Sequence, residues 1–237
     1  MIYQTDIYTD IADVSEVYSE MAVKIHDAVM KAVPKEYSAK MHISGYHPFS
    51  VFTVPSENGF IIRVSALCEE ARIIPEAIAL KKQIRIYGMK QPLKIVGYDV
   101  AEPVNAEQAY TYINEKGCDL IFITPAVIKT KGRFSAVPDI SAYFYSTICK
   151  YNEFENDKIS YDEFKEAFSE VFFESFHLDS VKYNVSGNLI PGITGNCRIL
   201  FPKEERKNVL LRKVIAYASY SGIGGKTGMG MGGIIVQ

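Results

Sequence analysis

The sequence has no long apolar run, and its first residues do not follow the basic-then-apolar pattern of a secretion signal. These two absences count against a membrane-spanning protein and a secreted protein. No stretch of the 237 residues approaches the roughly 20 consecutive apolar residues of a membrane-spanning helix. The first ten residues carry Asp6 and Asp10, where a secretion signal would be basic and then apolar. We therefore expect a cytoplasmic protein with no membrane attachment.

The sequence also has no closely spaced cysteines. Cys68, Cys118, Cys149 and Cys197 form no Cys-x-x-Cys pair, so neither a zinc cluster nor a disulfide framework is predicted, and we expect free thiols. The acidic segment 152–163 does not fit a calcium-binding loop, because it has the wrong residues at ligand and glycine positions. No metal site and no cofactor are expected.

An excess of positive charge is missing as well. The chain has 26 Lys and Arg against 28 Asp and Glu, a formal net charge of -2. Lys and Arg supply the phosphate contacts that dominate nucleic-acid affinity, so this balance counts against a nucleic-acid binder. The charge is uneven, however: 153–179 holds nine acidic residues and two lysines, whereas 193–237 holds seven basic and two acidic residues. The C-terminal part is expected to form a local basic patch.

The composition that is present, 48% hydrophobic and 23% charged, is typical of a globular protein of one large or two small domains. In the first half, apolar residues at steps of three and four predict an amphipathic helix over 11–32. A second helix is predicted at 69–80. Segments rich in β-branched and aromatic residues predict strands at 49–54, 60–67, 83–87 and 93–100.

The second half repeats this alternation. Strands are predicted at 120–124, 181–185 and 196–201, and helices at 140–151, 161–176 and 208–217. Each half then follows a β-α-β-β-α-β-like order, which predicts an α+β fold of two tandem ferredoxin-like (RRM-like) units with a boundary near 101–107. We assign 1–104 to the N-terminal unit and 105–237 to the C-terminal unit. Such a fold hosts many functions and does not settle this one.

The end of the chain is rich in glycine. Two Gly-apolar-Gly motifs, Gly222–Gly224 and Gly230–Gly232, are separated by five residues. Glycine permits positive φ and lets a polyanion approach backbone N–H groups, while Ile223 and Met231 can anchor the loop. The pattern therefore predicts a loop that cradles a phosphate backbone, with Lys226 in position to meet a phosphate.

A nucleotide-binding P-loop is the obvious rival, because Gly225–Thr227 reads Gly-Lys-Thr. That motif needs a glycine where this chain has Tyr220, and it needs a helix afterwards, where this chain ends. A flexible tail without function is also less consistent with the strict spacing of the glycines. We therefore favour a loop with a defined shape.

The two Gly-apolar-Gly motifs after a helix at the C-terminal end resemble the signature loop of the CRISPR-associated endoribonuclease family that matures guide RNA. Three further segments resemble this family: 120–134 (LIFITPAVIKTKGRF), 192–200 (GITGNCRIL) and 47–51 (HPFSV). The resemblance covers both halves and is stronger in the C-terminal half.

The resemblance implies an endoribonuclease that cleaves CRISPR repeat RNA in precursor transcripts without a metal. The ribose 2′-OH would attack the adjacent phosphate, leaving a 2′,3′-cyclic phosphate and a free 5′-OH. This reaction needs a base, an acid and positive charge near the phosphorane. CRISPR repeat RNA is the implied partner, and subunits of a CRISPR effector complex and a second copy of the chain are further candidates.

Histidine suits proton transfer near neutral pH, and the chain has only four. His26 lies in a predicted helix, where a surface or core-edge role is expected, and His177 lies at a predicted helix end. His42 and His47 lie in a polar connection between a helix and a strand, a common place for catalytic groups. In the family that the chain resembles, a histidine stands a few residues before the Pro-Phe-Ser strand, so His42 is the first catalytic candidate and His47 the second.

Neighbouring groups complete the candidate site. Lys40, Tyr37 and Tyr46 could stabilise the phosphorane, although a structural role is equally open for each. For RNA binding we expect the glycine loop with Lys226, the basic residues Arg198 and Arg212, and exposed aromatic rings.

Two other functions stay open on the sequence. One is a non-catalytic RNA-binding subunit of a CRISPR effector complex, and the other is an unrelated small-molecule enzyme on the same fold. A histidine beside the Pro-Phe-Ser strand favours the endoribonuclease, because a scaffold subunit does not need one. No Gly-x-Ser-x-Gly element points to a Ser-His-Asp triad.

Overall fold

Two antiparallel sheets, each with helices on one face, organise the chain. The computed structural model describes residues 1–10, 21–38, 47–56, 59–86, 91–137, 139–185 and 187–237. The helices and strands of the first half are β1 (Tyr3–Thr9), α1 (Met21–Ala32), β2 (Phe49–Ser56), β3 (Gly59–Ala66), α2 (Ile73–Ala79), β4 (Gln83–Ile84) and β5 (Leu93–Val100). Those of the second half are β6 (Gly117–Ala126), β7 (Ile128–Thr130), β8 (Arg133–Ser135), α3 (Tyr145–Phe154), α4 (Tyr161–Ser169), β9 (Phe172–Val185), β10 (Asn188–Leu200), α5 (Glu205–Ser221) and β11 (Ile234–Val236).

The first sheet has the strand order β2-β3-β1-β5-β4 with antiparallel neighbours. The inward side chains are apolar: Ile7 on β1 lies opposite Ile62 on β3, and both are fully buried. On α1, Ile25 and Val29 are four residues apart, so they share one helix face, and both belong to the same hydrophobic cluster. The helices therefore cover one face of this sheet.

The second sheet has the order β11-β6-β10-β9, again antiparallel, and β7 and β8 form a separate short hairpin. In the first sheet β3 and β1 lie side by side at the centre, with β2 beside β3 and β5 beside β1. In the second sheet β10 and β6 lie at the centre, with β9 beside β10 and β11 beside β6. This order, with helices between the strands, is that of a ferredoxin-like unit, and it confirms the predicted tandem α+β fold. The boundary between 1–104 and 105–237 stays a prediction.

Aromatic packing fixes the helices of the second unit. Phe144 contacts Phe164 and Phe168 of α4 in tilted arrangements, with ring centroids 5.4 and 5.8 Å apart. Tyr151 of α3 and Tyr217 of α5 meet edge to face at 5.0 Å. The contact between Tyr151 and Tyr217 packs α5 against α3, and the glycine-rich loop begins at the C-terminal end of α5.

The predicted helix over 161–176 is wrong in its second half. The helix ends at Ser169, and β9 begins at Phe172. Phenylalanines at steps of four continue past the helix end, which is why the periodicity was misleading, but Phe176 lies opposite Cys197 of β10 in the strand ladder. His177 is consequently a strand residue opposite Asn196, and not a residue at a helix end.

Four strands, β1, β7, β8 and β11, were not predicted. The predicted helices 69–80 and 140–151 each begin with a turn of 3-10 helix. Of the predicted helix 11–32, the part before Met21 lies outside the described residues. Among the helices that the structure describes, none has the length and apolar character that crossing a membrane requires.

Candidate functional site

The glycine-rich loop joins α5 to β11 and has a defined shape. Gly224 and Gly232 have φ values of 68° and 69°, which favour glycine. A Cβ at Gly224 would lie 2.3 Å from the carbonyl oxygen of Val127, and one at Gly232 would lie 1.9 Å from that of Ile223. Ile223 and Met231 are fully buried in two different hydrophobic clusters. The strict Gly-apolar-Gly spacing is therefore required by close packing of the loop on the protein itself.

Three of the four glycine N–H groups in the two motifs donate hydrogen bonds inside the protein. Gly224 donates to the carbonyl oxygen of Tyr143 at 2.7 Å, and Gly232 donates to that of Pro125 at 2.9 Å. Gly222 donates to Ala218 at 2.8 Å and closes the last turn of α5. Gly222, Gly224, Gly230 and Gly232 are all buried. Burial gives these four glycines a role in shaping the loop from inside, and their predicted contact with RNA stays a prediction.

In the middle of the loop, Gly225, Lys226 and Met229 are half-exposed, whereas Thr227 and Gly228 are buried. Lys226 is half-exposed, with a left-handed φ of 62°. Its Nζ lies 5.4 Å from the centre of the Phe134 ring, within range of a cation–π contact. Lys129 Nζ lies 5.9 Å from the same ring. Two ammonium groups and one aromatic ring therefore meet beside the loop.

The hairpin β7–β8 carries further positive charge at this place. Lys129, Lys131 and Arg133 lie on its three-residue strands or its turn, and all are exposed. Within the described part of the chain, neither they nor Lys226 has an acidic partner at ion-pair distance. We call Lys129, Lys131, Arg133, Phe134 and Lys226 the cationic hairpin site.

A second cluster lies on the other side of the loop, where two histidines flank Phe49 at the start of β2. The ring of His26 on α1 is parallel to Phe49, with centroids 6.0 Å apart and an interplanar angle of 6°. The ring of His47 lies 5.9 Å from Phe49 at 58°. A Cβ at Gly228 of the loop would lie 3.4 Å from Phe49 and 3.8 Å from His47. We call His26, His47, Phe49 and Gly228 the histidine cluster.

A hydrogen bond ties His26 to the loop. Its Nδ1 lies 2.5 Å from the carbonyl oxygen of Gly228. A carbonyl oxygen can only accept, so Nδ1 must carry the hydrogen. In a neutral imidazole the other nitrogen, Nε2, is then the one that carries the basic lone pair.

The predicted catalytic residues fall partly within the described structure. His42 and Lys40, with Tyr46, lie outside the described residues. His47 lies in the histidine cluster. Tyr37 is half-buried beside the core of the first unit, and burial raises the pKa of its phenol to about 12. At neutral pH Tyr37 therefore keeps its proton, so it can donate a hydrogen bond or a proton but does not act as a general base.

His26 was given a surface or core-edge role on the sequence, but the structure brings it into the cluster. Its partner Gly228 is 202 positions away along the chain, so no local pattern could have found the contact. The four cysteines are free, as expected; Cys118 and Cys197 are buried, and burial raises the pKa of each thiol to about 12. Within the described ranges, no group of three or more His, Cys, Asp or Glu side chains could hold a metal ion.

Arg212 was predicted to bind RNA, and the structure places it in the interior, so an RNA contact there stays an untested prediction. Its guanidinium is buried in the second unit, where it donates to Asn208 Oδ1 at 2.8 Å and to the carbonyl oxygen of Ile113 at 3.3 Å. It also lies 5.2 Å above the ring of Tyr110. Its side chain is only 8% exposed, and its guanidinium also lies 3.9 Å from a carboxylate oxygen of Glu115, so the charge is largely buried and already paired.

Arg198 is exposed, but its positive charge is already paired with two carboxylates. It donates to Asp119 at 2.6 Å and to Glu174 at 3.0 Å. The same holds along α5, where the partners of basic side chains come from the acidic segment 153–179: Arg206 with Glu163, Lys207 with Glu166 and Glu170, and Lys213 with Asp157. The predicted C-terminal basic patch is therefore largely neutralised by the acidic segment folded against it.

Comparisons with known proteins give one consistent result. A family model described as CRISPR-associated endoribonuclease Cas6 matches residues 120–234. A curated relative of that name from Streptococcus thermophilus is 22% identical over 233 residues, covering 92% of each chain. One from Mycobacterium tuberculosis is 24% identical over 225 residues, covering 90% of this chain and 70% of its own. A solved Cas6 product complex is similar in fold over the whole of both chains, with a TM-score of 0.78 and 18% identity.

Proposed function

Because the chain belongs to the CRISPR-associated endoribonuclease Cas6 family, we propose that it binds CRISPR repeat RNA and cleaves it to release guide RNAs. The observation that carries this proposal is the position of the glycine-rich loop. One side of the loop tip contacts the histidine cluster, and the other contacts the cationic hairpin site. Proton-transfer groups and phosphate-binding groups therefore lie on either side of one short segment.

The cleavage step is a transesterification within the RNA. The 2′-oxygen loses its proton and forms a bond to the adjacent phosphorus, the bond from phosphorus to the 5′-oxygen breaks, and that oxygen takes up a proton. The products are a 2′,3′-cyclic phosphate and a 5′-OH, and no metal is required. His42 is the first candidate for proton transfer, and His47, beside Phe49, is the second.

The RNA backbone would contact the cationic hairpin site. Its four cations have no acidic partner among the described residues, so a phosphate does not have to displace a carboxylate to reach them. Phe134 is 36% exposed and offers a face for an unpaired base. We assign RNA contacts to this site, with Lys226 retained from the sequence prediction and Arg198 and Arg212 left out.

The proposal also includes two protein partners. Subunits of a CRISPR effector complex and a second copy of this chain could each bind the protein beside the RNA. The alternative of a non-catalytic RNA-binding subunit is not favoured, since the curated relatives are named endoribonucleases. A scaffold subunit would also have no use for the histidine cluster.

The experiment incubates the protein with its cognate repeat RNA in EDTA and maps the cut and its ends. Wild type should cleave and leave a 2′,3′-cyclic phosphate. The His42→Ala variant should cleave about 100- to 10,000-fold more slowly, the usual contribution of a general acid or base, while RNA binding persists. His177→Ala is the matched control, because His177 is exposed on β9.

Three outcomes would count against parts of this proposal. A folded His42→Ala protein that cleaves at the wild-type rate would remove His42 from the mechanism. Binding without cleavage by wild type would favour the non-catalytic subunit. No binding of repeat RNA by wild type would exclude both RNA functions.

A further inference from the structure

Lys150 of α3 is a fully buried amine without a carboxylate partner among the described residues. Its Nζ donates to the carbonyl oxygen of Ser221 at 2.8 Å and, at very short range, to Oγ1 of Thr227. One turn earlier on the same helix, Thr147 donates to the carbonyl oxygen of Gly222 at 3.0 Å. Burying an ammonium group without a counter-charge costs free energy, so the presence of a lysine at this buried position needs an explanation.

The two contacts of Lys150 span the first half of the glycine-rich loop. Ser221 is the last residue of α5, and its free carbonyl is at the negative end of the helix dipole, where a cation is favourable. Thr227 lies near the loop tip. One side chain therefore sets the distance between the end of α5 and the tip.

The next residue after Thr227 is Gly228, whose carbonyl oxygen accepts from His26. The dipeptide Thr227–Gly228 is thus held from two directions, by Lys150 of the second unit and by His26 of the first. Gly228 also packs against Phe49 and close to His47. A displacement of Thr227 would be passed on through one peptide unit to the histidine cluster.

We propose that Lys150 is a positioning residue, which acts through Thr227 and Gly228 to fix the tautomer and the orientation of His26 in the histidine cluster. The expected effect of Lys150 on cleavage rests on the proposed function, whereas its effect on His26 does not. The contact itself can be tested without RNA. Burial lowers the pKa of Lys150 to about 7, yet a neutral amine still has two hydrogens, enough for both acceptors.

The test combines nuclear magnetic resonance of the histidine rings with single-turnover cleavage. Lys150→Met keeps an unbranched side chain that is one atom shorter, and it removes both hydrogen bonds. Lys213→Met is the matched control, because Lys213 is also a largely buried lysine but pairs with Asp157, away from the loop. The imidazole ¹⁵N signals of His26, assigned with a His26→Gln variant, report its tautomer directly.

We expect Lys150→Met to shift the His26 signals away from the Nδ1–H form and to lower the cleavage rate about 10- to 100-fold with RNA affinity changed less than about 2-fold. Lys213→Met should leave the His26 signals unchanged. If Lys150→Met does not fold, Thr227→Val removes only the hydroxyl acceptor, and Thr227→Ser, which keeps it, is its control. Thr227→Val should then shift the same signals, and Thr227→Ser should not.

The outcomes separate the two proposals. Unchanged His26 signals in a folded Lys150→Met or Thr227→Val protein would overturn the positioning role, whether or not wild type cleaves RNA. Shifted signals with no cleavage by wild type would leave the positioning role in place and overturn the proposed function. Shifted signals with a cleavage rate that stays at the wild-type value would show that His26 does not contribute to the reaction, and the positioning role in catalysis would fall.

Discussion

The basic residues of this chain form two regions with opposite surroundings. Along α5 and β10, basic side chains face the acidic segment 153–179, and most are paired. The hairpin β7–β8 has fewer basic residues, but they face no carboxylate among the described residues. The density of positive charge along a sequence therefore does not locate the positive surface, because the fold decides which charges are compensated.

The largest expected effect comes from removing the hairpin charges. The variant Lys129→Gln, Lys131→Gln, Arg133→Gln should bind repeat RNA about 100-fold more weakly, because each phosphate contact near 0.1 M salt contributes roughly a factor of five. The plot of log affinity against log salt concentration should become less steep by about 2. Fluorescence anisotropy over a salt series measures both quantities.

The matched control removes three charges from the other region, as Arg198→Gln, Arg206→Gln, Lys207→Gln. Both triple variants change the net charge equally, so a non-specific loss of attraction would affect them alike. Equal loss of affinity in the two would show that the two regions do not differ for RNA and would remove the hairpin from the binding site.

Removing the aromatic ring of Phe134 should have the next largest effect on RNA affinity. Phe134→Leu should weaken binding about 10-fold if a base stacks on the ring, since one stacked base contributes on the order of 1 to 3 kcal/mol. Phe176→Leu is the control, because Phe176 is also an exposed phenylalanine but lies on β9 in the compensated region. Similar affinities for wild type and Phe134→Leu would mean that the ring serves only to order the lysines around it.

Lys150 differs from both regions, since it is buried and has no acidic partner in the part of the chain that the structure describes. Its pKa is lowered from 10.5 to about 7 by burial, so between these two values the unfolded chain binds the extra proton. The free energy of unfolding should therefore rise with pH across this window, on the order of 1 kcal/mol per pH unit from this residue. Urea unfolding of wild type and Lys150→Met at pH 7 and pH 9 measures it, and an identical rise in both proteins would contradict the assignment.

The smallest effect on RNA is expected at Arg212. Arg212→Met should leave affinity for repeat RNA unchanged, because the guanidinium is buried against Tyr110. The free energy of unfolding should fall by about 1 to 2 kcal/mol, because the carbonyl oxygen of Ile113 loses its donor. Weaker RNA binding by a fully stable variant would restore the RNA-binding role predicted from the sequence.

The sequence predicted the order of elements well, because local periodicity is set by which face of each element is buried. Strand β5 was predicted with both of its ends, and α5 extended the predicted helix by a few residues on each side. Strand β1 was missed because two of its inward residues, Thr5 and Thr9, are polar although buried. The start of β9 was missed because phenylalanines at steps of four also fit a helix.

The site was less predictable, because its contacts join distant parts of the chain. The loop was recognised from its glycines, and its packing then depended on Val127 and Tyr143, which no spacing in the loop reveals. His26 could not be placed from its neighbours in α1, since Gly228 comes from the opposite end of the chain. The compensation of Arg198 by Asp119 and Glu174 likewise depends on strand register.

The internal use of the glycine amides has a consequence for how this signature is read in genomes. Because Gly224 and Gly232 are needed for the loop to pack, a chain that kept both motifs but lost His42 and His47 should still build the same loop. Such a chain would be recovered by any search that depends on the glycines. The motif thus reports inheritance of the architecture, and degenerate copies that bind RNA without cutting it are expected to carry it as faithfully as active enzymes do.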